Sequence, residues 1–517
     1  MKSFIFALLA CLIFMAVLAP LGGGLRSDLG GDPDEPAHAV TSLMMRDYLV
    51  HAPGRNPLGF ARIYYEDFPK VAIGHYPPGY YLLGGVALLA WPGQTTLLVL
   101  QIVLAALTGA LTFIFARRML TLTSAALAAA VTMALPLMLK VTQHVMADML
   151  LAVVCLLAAL CWVRFLEKPS VRASLLFGFV AAAAILTKGS GLLLGAVPVV
   201  ALLMRRDFTA LRTWRWWAAG LPVALLALPW MVLTARITRE GMTGQSTSQF
   251  FAEAVPYYLQ VMPAAFSWGL SLLMLAGLVR LLCAALRGPL PPVESVLLAM
   301  LAGGWAIMLL VPAGVTTRYF VPSVPFMAVL ALIGAEWLTA RLTAKLRPWA
   351  VAALVGGSFA FVAEIPQKQV HGFAEAAAHA LQADPPKSPT RWLVSSEARG
   401  EGAVIAEAAF RLPQRHPSPL RIYRAGKELS ASDWLGRGYK AAFATEAEVL
   451  AHLDQIGVTW VFVDLSVPEK FRVPHMAQLE QALRSAPDIW TPVLTQPVTR
   501  QPGVTGQMLV FRRAVKG

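Results

Sequence analysis

A series of apolar segments, most of them close to the length of about 17–25 residues that spans a bilayer, constrains this fold more than any other feature. Counting the first one, the sequence predicts about eleven spans. Since 57% of the residues are hydrophobic and only 14% are charged, a polytopic membrane protein is expected. The segments lie at about residues 4–21, 94–116, 121–139, 145–165, 172–187, 190–204, 214–235, 263–281, 293–312, 319–338 and 348–364.

The first segment, residues 4–21, is either a cleaved signal peptide or a first spanning helix. A single basic residue, Lys2, precedes it, and the stretch "VLAPLGGG" that ends it is a poor cleavage site. Both features favour a helix that is retained in the mature protein.

The distribution of basic residues predicts the topology. The net charge is +14, but the basic residues lie in short links near positions 117–118, 164–172, 205–215, 280–287 and 341–347. Such links are typical of cytoplasmic loops and not of a nucleic-acid-binding surface. An odd number of spans then places the N-terminus in the cytoplasm, and residues 22–77 and the C-terminal region outside it. We expect a multi-pass protein of the inner (plasma) membrane.

The composition changes near residue 371. Predicted strands at 391–396, 420–425, 458–465 and 508–513 alternate with helical periodicity at 401–411 and 446–457. This alternation is typical of an α/β domain. The sequence therefore predicts a transmembrane domain over residues 1–365, with its first outer loop at 22–77, and a soluble extracytoplasmic α/β domain over residues 371–517.

Ionisable residues from distant parts of the sequence are predicted at the outer membrane boundary. Burying such a residue there costs free energy, so each one is expected to have a functional or structural role. Carboxylates there can act as a general base on a hydroxyl or bind a divalent cation, while lysine and arginine suit a lipid phosphate. Their convergence predicts transfer chemistry on a phospholipid-like donor. The residues are Asp32, Asp34, Glu35, His38, Glu66, Asp67, Lys70, His75, Lys140, His144, Asp148, Lys188 and Arg318.

Five short motifs carry a resemblance to a known family: "DPDEPAH", "HYPPGYYLL", "MADML", "LTKGSGL" and "TRYFVPSVPF". Together they resemble the integral-membrane GT-C glycosyltransferases, in particular the group of protein O-mannosyltransferases, aminoarabinose transferases of lipid A and relatives that modify lipopolysaccharide. The resemblance covers about residues 1–345. It implies about eleven to thirteen membrane helices, a polyprenyl-phosphate sugar donor, and a glycan, lipid or protein acceptor.

The resemblance also implies roles for individual residues. Asp34 matches the family's base, which deprotonates the acceptor hydroxyl, Glu35 matches its neighbour, and Asp148 matches an acid near the start of a later helix. Lys188 and Arg318 match basic positions that hold the donor phosphate. The implied reaction is one in-line displacement at the anomeric carbon with inversion, and it needs no general acid because the phosphate is a good leaving group.

The stretch around His75 and Tyr76 bears on two questions: whether a divalent ion binds, and how the chain departs from the family. His75 occupies a position where relatives place an acid or a histidine near a metal or the phosphate, and with Asp32 it is the candidate metal ligand. The aminoarabinose transferases have a lysine directly before the following proline, where this chain has Tyr76. Lys70 is therefore the candidate to supply that charge to the phosphate.

Each of these residues also has a structural explanation. Asp32 could be a turn residue or a helix cap, and Asp34 could cap the helix that starts near Pro36. Asp148 could pair with Lys140 or His144. Lys188 could extend its amine to the membrane surface, and Arg318 could anchor a helix end.

Two other functions compete with sugar transfer. A transporter or flippase of a lipid-linked or small anionic substrate would place its charges at the bilayer midplane, often in repeated halves. The segments between residues 94 and 235 carry almost no charge at mid-depth, and the sequence has no repeat. An assembly protein that binds a partner through its outer domain would leave the acidic cluster unexplained.

Overall fold

A computed structural model describes residues 2–385, 390–412, 418–433 and 436–514, in which a large helical part is followed by an α/β part. The helical part contains α1 (Lys2–Leu21), α2 (Glu35–His51), α3 (Pro57–Asp67), α4 (Gly79–Ala90), α5 (Gln94–Ala116), α6 (Leu122–Ala134), α7 (Pro136–Thr142), α8 (Asp148–Glu167), α9 (Val171–Thr187), α10 (Ala196–Arg205), α11 (Trp214–Trp217), α12 (Gly220–Pro222), α13 (Leu228–Glu240), α14 (Thr247–Arg287), α15 (Pro292–Leu310), α16 (Val324–Leu338) and α17 (Arg347–Ala360).

The helical part confirms a multi-pass membrane protein. Among the described residues, six helices are long and apolar enough to cross a membrane, or seven if the bent pair α6–α7 is one span. Four further apolar helices, at Gly79–Ala90, Val171–Thr187, Gly189–Arg205 and Val324–Leu338, are shorter. The described residues therefore contain fewer full-length spans than the eleven or so expected from the sequence. The expected span at 348–364 corresponds to α17, which belongs to neither group.

Several helices are interrupted, and each interruption has a local cause. The axis bends by 56° between α6 and α7, where Pro136 removes a backbone donor. Helix α9 ends at Thr187, Lys188 is extended, and a 3-10 helix follows over Gly189–Gly195. Irregular backbone within a membrane must be buried in protein or line a cavity. These breaks therefore mark positions where polar side chains can enter the protein interior.

The α/β part confirms the predicted alternation. Its five-stranded sheet has the order β2-β1-β5-β7-β6. Strands β2, β1 and β5 are parallel to one another, and β7 is antiparallel to both of its neighbours, β5 and β6. The strands are β1 (Thr390–Ser395), β2 (Leu420–Arg424), β3 (Ser430–Ala431), β4 (Lys440–Ala441), β5 (Trp460–Asp464), β6 (Trp490–Gln501) and β7 (Val504–Arg513). The helices are α18 (Phe373–Ala383), α19 (Ala398–Arg411), α20 (Ala425–Glu428), α21 (Glu446–Gln455) and α22 (Pro474–Ser485).

The first outer loop and the α/β part share one hydrophobic core. Leu29 and residues of α2 such as Val40 pack in the same buried cluster as Ala403 of α19 and Trp392 of β1. Because a buried apolar cluster is stabilised only while both sides remain in contact, the α/β part is docked on the loop rather than tethered beside it. This contact fixes the loop that begins the candidate site.

Candidate active site

Five polar side chains from four distant stretches of the chain meet at one end of the helical part. Asp32 and Asp34 precede α2, Asp148 is the first residue of α8, Lys188 follows α9, and Arg318 lies in a 3-10 helix at Thr317–Phe320. Each lies at a helix end or in a break between helices. The sequence predicted these residues at one side of the membrane, and the structure brings the five side chains together.

Arg318 is at the centre of this group. Its Nη2 donates to Oδ2 of Asp34 at 2.9 Å and its Nη1 to Oδ1 of Asp32 at 3.3 Å. Its Nε lies 3.9 Å from Oδ2 of Asp148. Lys188 donates from Nζ to Oδ1 of Asp148 at 2.5 Å. We name Asp32, Asp34, Asp148, Lys188 and Arg318 the Arg318 cluster.

The backbone around Asp34 explains why its carboxylate faces the cluster. Asp34 occupies the position before α2, and Pro36 in the first helical turn has the φ angle that this turn requires. The Asp34 side chain makes no capping bond, so the cap interpretation is wrong. Asp32 accepts a hydrogen bond from the Asp34 amide at 3.0 Å, as a turn residue does, and also pairs with Arg318.

Lys188 and Asp148 form a buried ion pair, so Lys188 does not extend toward the membrane surface. Asp148 is therefore paired with Lys188 and not with Lys140 or His144. A Cβ on Gly191 would lie 2.5 Å from the carbonyl oxygen of Ala184. Only glycine allows the chain after Lys188 to return so closely against α9.

Exposure decreases from one side of the Arg318 cluster to the other. The exposed fractions of the side chains are 34% for Asp32, 24% for Asp34, 17% for Arg318, 7% for Lys188 and 2% for Asp148. The cluster therefore opens beside Asp32 and Asp34 and closes at Asp148. Asp32, Asp34 and Arg318 are therefore the members of the cluster that are most exposed to solvent.

The carboxylate of Asp34 is strongly acidic and has one oxygen available. Burial raises its pKa, but the charge and hydrogen bond of Arg318, with a smaller contribution from His38 and the Tyr76 hydroxyl, lower it to about 2. Arg318 and Tyr76, the latter at 2.9 Å, both donate to Oδ2. Within the described residues Oδ1 accepts no hydrogen bond, which leaves it for a ligand.

Three predicted site residues lie outside the Arg318 cluster. Glu35 is fully buried and pairs with Lys368 at 2.7 Å. Lys70 donates from Nζ to the carbonyl of Ala398 in the α/β part at 2.9 Å, and burial lowers its pKa to about 7. His75 has a lowered pKa because of burial, with Glu240 opposing this shift.

The predicted divalent-ion site does not fit the residues present. In the described ranges, no three side chains of the His, Cys, Asp and Glu types are grouped as metal ligands would be. Asp32, one candidate ligand, is paired with Arg318 instead. The chemistry below is therefore derived without a metal.

Sequence reasoning missed two residues at the site. Tyr76, which stands where the aminoarabinose transferases have a lysine, donates its hydroxyl to Oδ2 of Asp34. The Tyr319 ring lies 5.5 Å from Nζ of Lys188 in a cation–π contact. Tyr76 directly follows His75 and Tyr319 directly follows Arg318, so a tyrosine next to an ionisable residue was the available signal.

Comparisons with known proteins agree with this architecture. Residues 74–233 match the family model described as dolichyl-phosphate-mannose-protein mannosyltransferase. No curated protein matches the sequence. ArnT of Cupriavidus metallidurans bound to undecaprenyl phosphate superposes with a TM-score of 0.59 at 14% identity, over 98% of this chain and 98% of that one.

The archaeal oligosaccharyltransferase AglB of Archaeoglobus fulgidus has the same architecture. Its complex with an inhibitory peptide and a dolichol-phosphate has a TM-score of 0.57 at 12% identity, over 97% of this chain and 74% of that one. Its complex with Zn and sulfate has a TM-score of 0.57 at 13% identity, over 97% and 72% of the two chains. At these identities the likeness shows a common fold.

Proposed function

We propose that this chain, which has the fold of the GT-C glycosyltransferases, transfers a sugar from a polyprenyl-phosphate donor to an extracytoplasmic glycan, lipid or protein, with inversion. The observation that carries the proposal is the contact of Arg318 with Asp34 beside the buried Lys188. A cation for a phosphate and a base for a hydroxyl then lie within one small volume.

The donor phosphate is assigned to Arg318 and Lys188. Guanidinium binds phosphate oxygens through two parallel N–H groups, and an ammonium beside it adds a second charge. ArnT binds undecaprenyl phosphate and AglB binds dolichol-phosphate, which supports a prenyl phosphate as the ligand of this fold. Lys70 has no part in this assignment, because it is bound to the carbonyl of Ala398.

Asp34 is assigned as the base. The acceptor hydroxyl gives its proton to Oδ1 of Asp34, its oxygen bonds to the anomeric carbon, and the bond from that carbon to the phosphate oxygen breaks. The leaving phosphate keeps the electron pair, and Arg318 and Lys188 stabilise its charge. A phosphate that draws Arg318 away from Asp34 also raises the basicity of Asp34, since the Arg318 charge is what keeps its pKa low.

Asp148 is assigned a supporting role at the closed side of the cluster. It holds Lys188 at 2.5 Å and lies 3.9 Å from Arg318, so it orients both cations toward the open side. The reaction is assigned to the outer face of the inner membrane, with the N-terminus in the cytoplasm and the α/β domain of residues 371–517 outside, as the basic loops predict.

The test replaces Asp34 with Asn in protein reconstituted in nanodiscs. The donors are synthetic undecaprenyl-phosphate monosaccharides, the acceptors are extracted envelope lipids and glycans, and the released undecaprenyl phosphate is measured. We expect kcat to fall by about 10²–10⁴-fold while donor binding is kept, as for loss of a general base.

The matched control is Glu66→Gln, which changes an exposed acid of the same outer loop that pairs with Arg421. It should keep wild-type turnover. Undiminished turnover in folded Asp34→Asn protein would remove Asp34 as the base, and absence of release by the wild type from every donor would contradict the proposed reaction.

A further inference from the structure

Glu35, the neighbour of Asp34, is completely buried, and its carboxylate accepts four hydrogen bonds. Its Oε2 accepts from the amides of Gly30 at 3.0 Å and Gly31 at 2.9 Å. Its Oε1 accepts from the amide of Val145 at 3.2 Å and from Nζ of Lys368 at 2.7 Å. A carboxylate with all these contacts cannot reach an acceptor hydroxyl in the open half of the Arg318 cluster.

Lys368 is held as firmly as Glu35. It lies in the segment between α17, the last helix of the membrane part, and α18, the first helix of the α/β part. Its amide donates to the carbonyl of Gly22 at 2.8 Å, and its own carbonyl accepts from the Ser27 hydroxyl at 2.7 Å. The Lys368 backbone is thus paired with both ends of residues 22–27.

The contacts of Glu35 connect the two segments that carry Asp34 and Asp148. Gly30 and Gly31 immediately precede Asp32 and Asp34, and Val145 precedes Asp148 by three positions. One side chain therefore sets the distance between the start of α2 and the start of α8. Packing adds to this constraint, since a Cβ on Gly31 would lie 2.4 Å from Nε2 of His144 and 3.2 Å from Cε of Lys368.

We propose that the Glu35–Lys368 ion pair is a latch through which the segment leading into the α/β domain positions Asp34 and Asp148 for sugar transfer. Glu35 and Lys368 are positioning residues and do not touch the donor or the acceptor. The inference rests on the proposed function, and it assigns the α/β domain a task in it: to hold the catalytic loop in its reactive geometry.

Other contacts between the α/β part and the loop agree with this task. Oδ2 of Asp28 accepts from the amides of Phe373 and Ala374, both at 3.0 Å, at the start of α18. Oε1 of Glu407 in α19 accepts from the Leu29 amide at 3.1 Å. In addition to its pair with Lys368, Glu35 accepts a hydrogen bond from the Val145 amide just before α8. The hydrogen bonds of Asp28 and Glu407 join the loop to α18 and α19 instead.

A buried ion pair is a costly way to gain stability, because desolvation of both charges offsets their attraction. Apolar side chains of the same volume would hold two segments together at least as well, but they would not orient four specific donors. The geometry is therefore better explained by a requirement for exact placement than by a requirement for stability.

The test uses full-length protein in nanodiscs and three variants: Lys368→Met, Glu35→Gln and the double variant. The double variant leaves no unpaired buried charge, so it keeps the proposal testable if a single variant does not fold. The matched control is Glu66→Gln, which breaks an exposed ion pair of 3.2 Å between the same outer loop and Arg421 of the α/β part.

Two measurements are made on each protein. The first is hydrogen exchange of peptides covering residues 28–38, which does not depend on activity. The second is kcat and the donor KM with the undecaprenyl-phosphate monosaccharide that the wild type uses. Both single variants should exchange faster over residues 28–38 and lose about 10–100-fold in kcat with little change in donor KM, as expected for misplaced catalytic groups.

The double variant should lose no more activity than the worse single variant, and Glu66→Gln should match the wild type in both measurements. Wild-type exchange over residues 28–38 in Lys368→Met, or wild-type kcat in the double variant, would overturn the latch. A Glu35→Gln variant far slower than Lys368→Met would show Glu35 to be catalytic instead. If the wild type transfers no sugar, the proposed function fails, while the exchange data still decide whether the latch exists.

Discussion

Replacing Arg318 with Gln should raise the pKa of Asp34 by a predictable amount. Nη2 of Arg318 lies 2.9 Å from Oδ2 of Asp34. With about 4 Å between the charge centres and an effective dielectric constant of about 20, the pair gains about 4 kcal/mol, equivalent to about 3 pKa units. The pKa of Asp34 is about 2 in the native chain. Its pKa in Arg318→Gln should therefore be about 5.

The assay is an infrared pH titration of the protein in nanodiscs, which follows the carboxyl C=O stretch and needs no donor. The Asp34 signal is isolated as the difference between Arg318→Gln and Arg318→Gln/Asp34→Asn. The control is the difference between the wild type and Asp34→Asn, in which no Asp34 band should appear between pH 4 and pH 7 because the native carboxylate stays ionised there.

The same shift should appear in the kinetics. If Asp34 is the base, the residual kcat/KM of Arg318→Gln should rise with pH through about 5, because that parameter reports the free enzyme. An Asp34 band that titrates at the same pH in Arg318→Gln and in the wild type would refute the electrostatic reasoning, since Arg318 would then not be what keeps the carboxylate ionised.

Three further predictions concern stability, each measured by thermal unfolding in detergent. Lys188→Met leaves the buried Asp148 with Arg318, at 3.9 Å, as its remaining cation, and it should cost up to about 3–5 kcal/mol. Most of this loss should be recovered in Lys188→Met/Asp148→Asn. Equal melting temperatures of the wild type and Lys188→Met would contradict this prediction. Burial and the charge of Glu407 raise the pKa of Asp28 to about 7. The stability that Asp28 contributes is therefore complete below about pH 4 and falls by up to about 4 kcal/mol as the pH rises to about 7. Asp28→Asn should remove this pH dependence of stability, and an unchanged dependence in the variant would refute the prediction. Gly191→Ala should cost about 1–3 kcal/mol because its Cβ would lie 2.5 Å from a backbone oxygen, whereas Gly189→Ala, with nothing within 4 Å of its Cβ, should cost less; equal costs would contradict the packing.

The convergence of the Arg318 cluster could be predicted because membrane topology is a strong constraint. Once the basic links are assigned to the cytoplasm, Asp34, Asp148, Lys188 and Arg318 must all lie near the outer boundary. Burial of charge in such a place requires pairing, which brings them together. Their exact partners were not predictable, because pairing depends on side-chain geometry within a few ångströms.

The place of Glu35 could not be read from the sequence. Its position beside Asp34 suggested a shared catalytic role, but the first turn of α2 directs the two side chains to different surroundings, and Glu35 faces inward. Its partner Lys368 is 333 positions away in a connecting segment without a motif. No local pattern joins two such residues.

Two features of the fold, strand β6 and the bend in α14, were not predicted from the sequence. Strand β6 contains Pro492 and Pro497, which argue against a central strand, and it lies at the edge of the sheet where proline is tolerated. The helix α14 contains Ser267 with φ 64°, so the predicted span at 263–281 is part of a longer, kinked element. Periodicity reports which residues are apolar but not where a helix bends.

The assignment of Arg318 and Lys188 to the donor phosphate can be tested by mass spectrometry of the lipids that remain bound to the protein after purification from its native membrane. We expect a polyprenyl-phosphate monosaccharide, or the free polyprenyl phosphate, to be bound to the wild type and to Asp34→Asn, and to be lost from the double variant Lys188→Met/Arg318→Gln. Absence of any prenyl phosphate from the wild type, or equal amounts on the wild type and the double variant, would contradict the assignment of this cluster as the donor site.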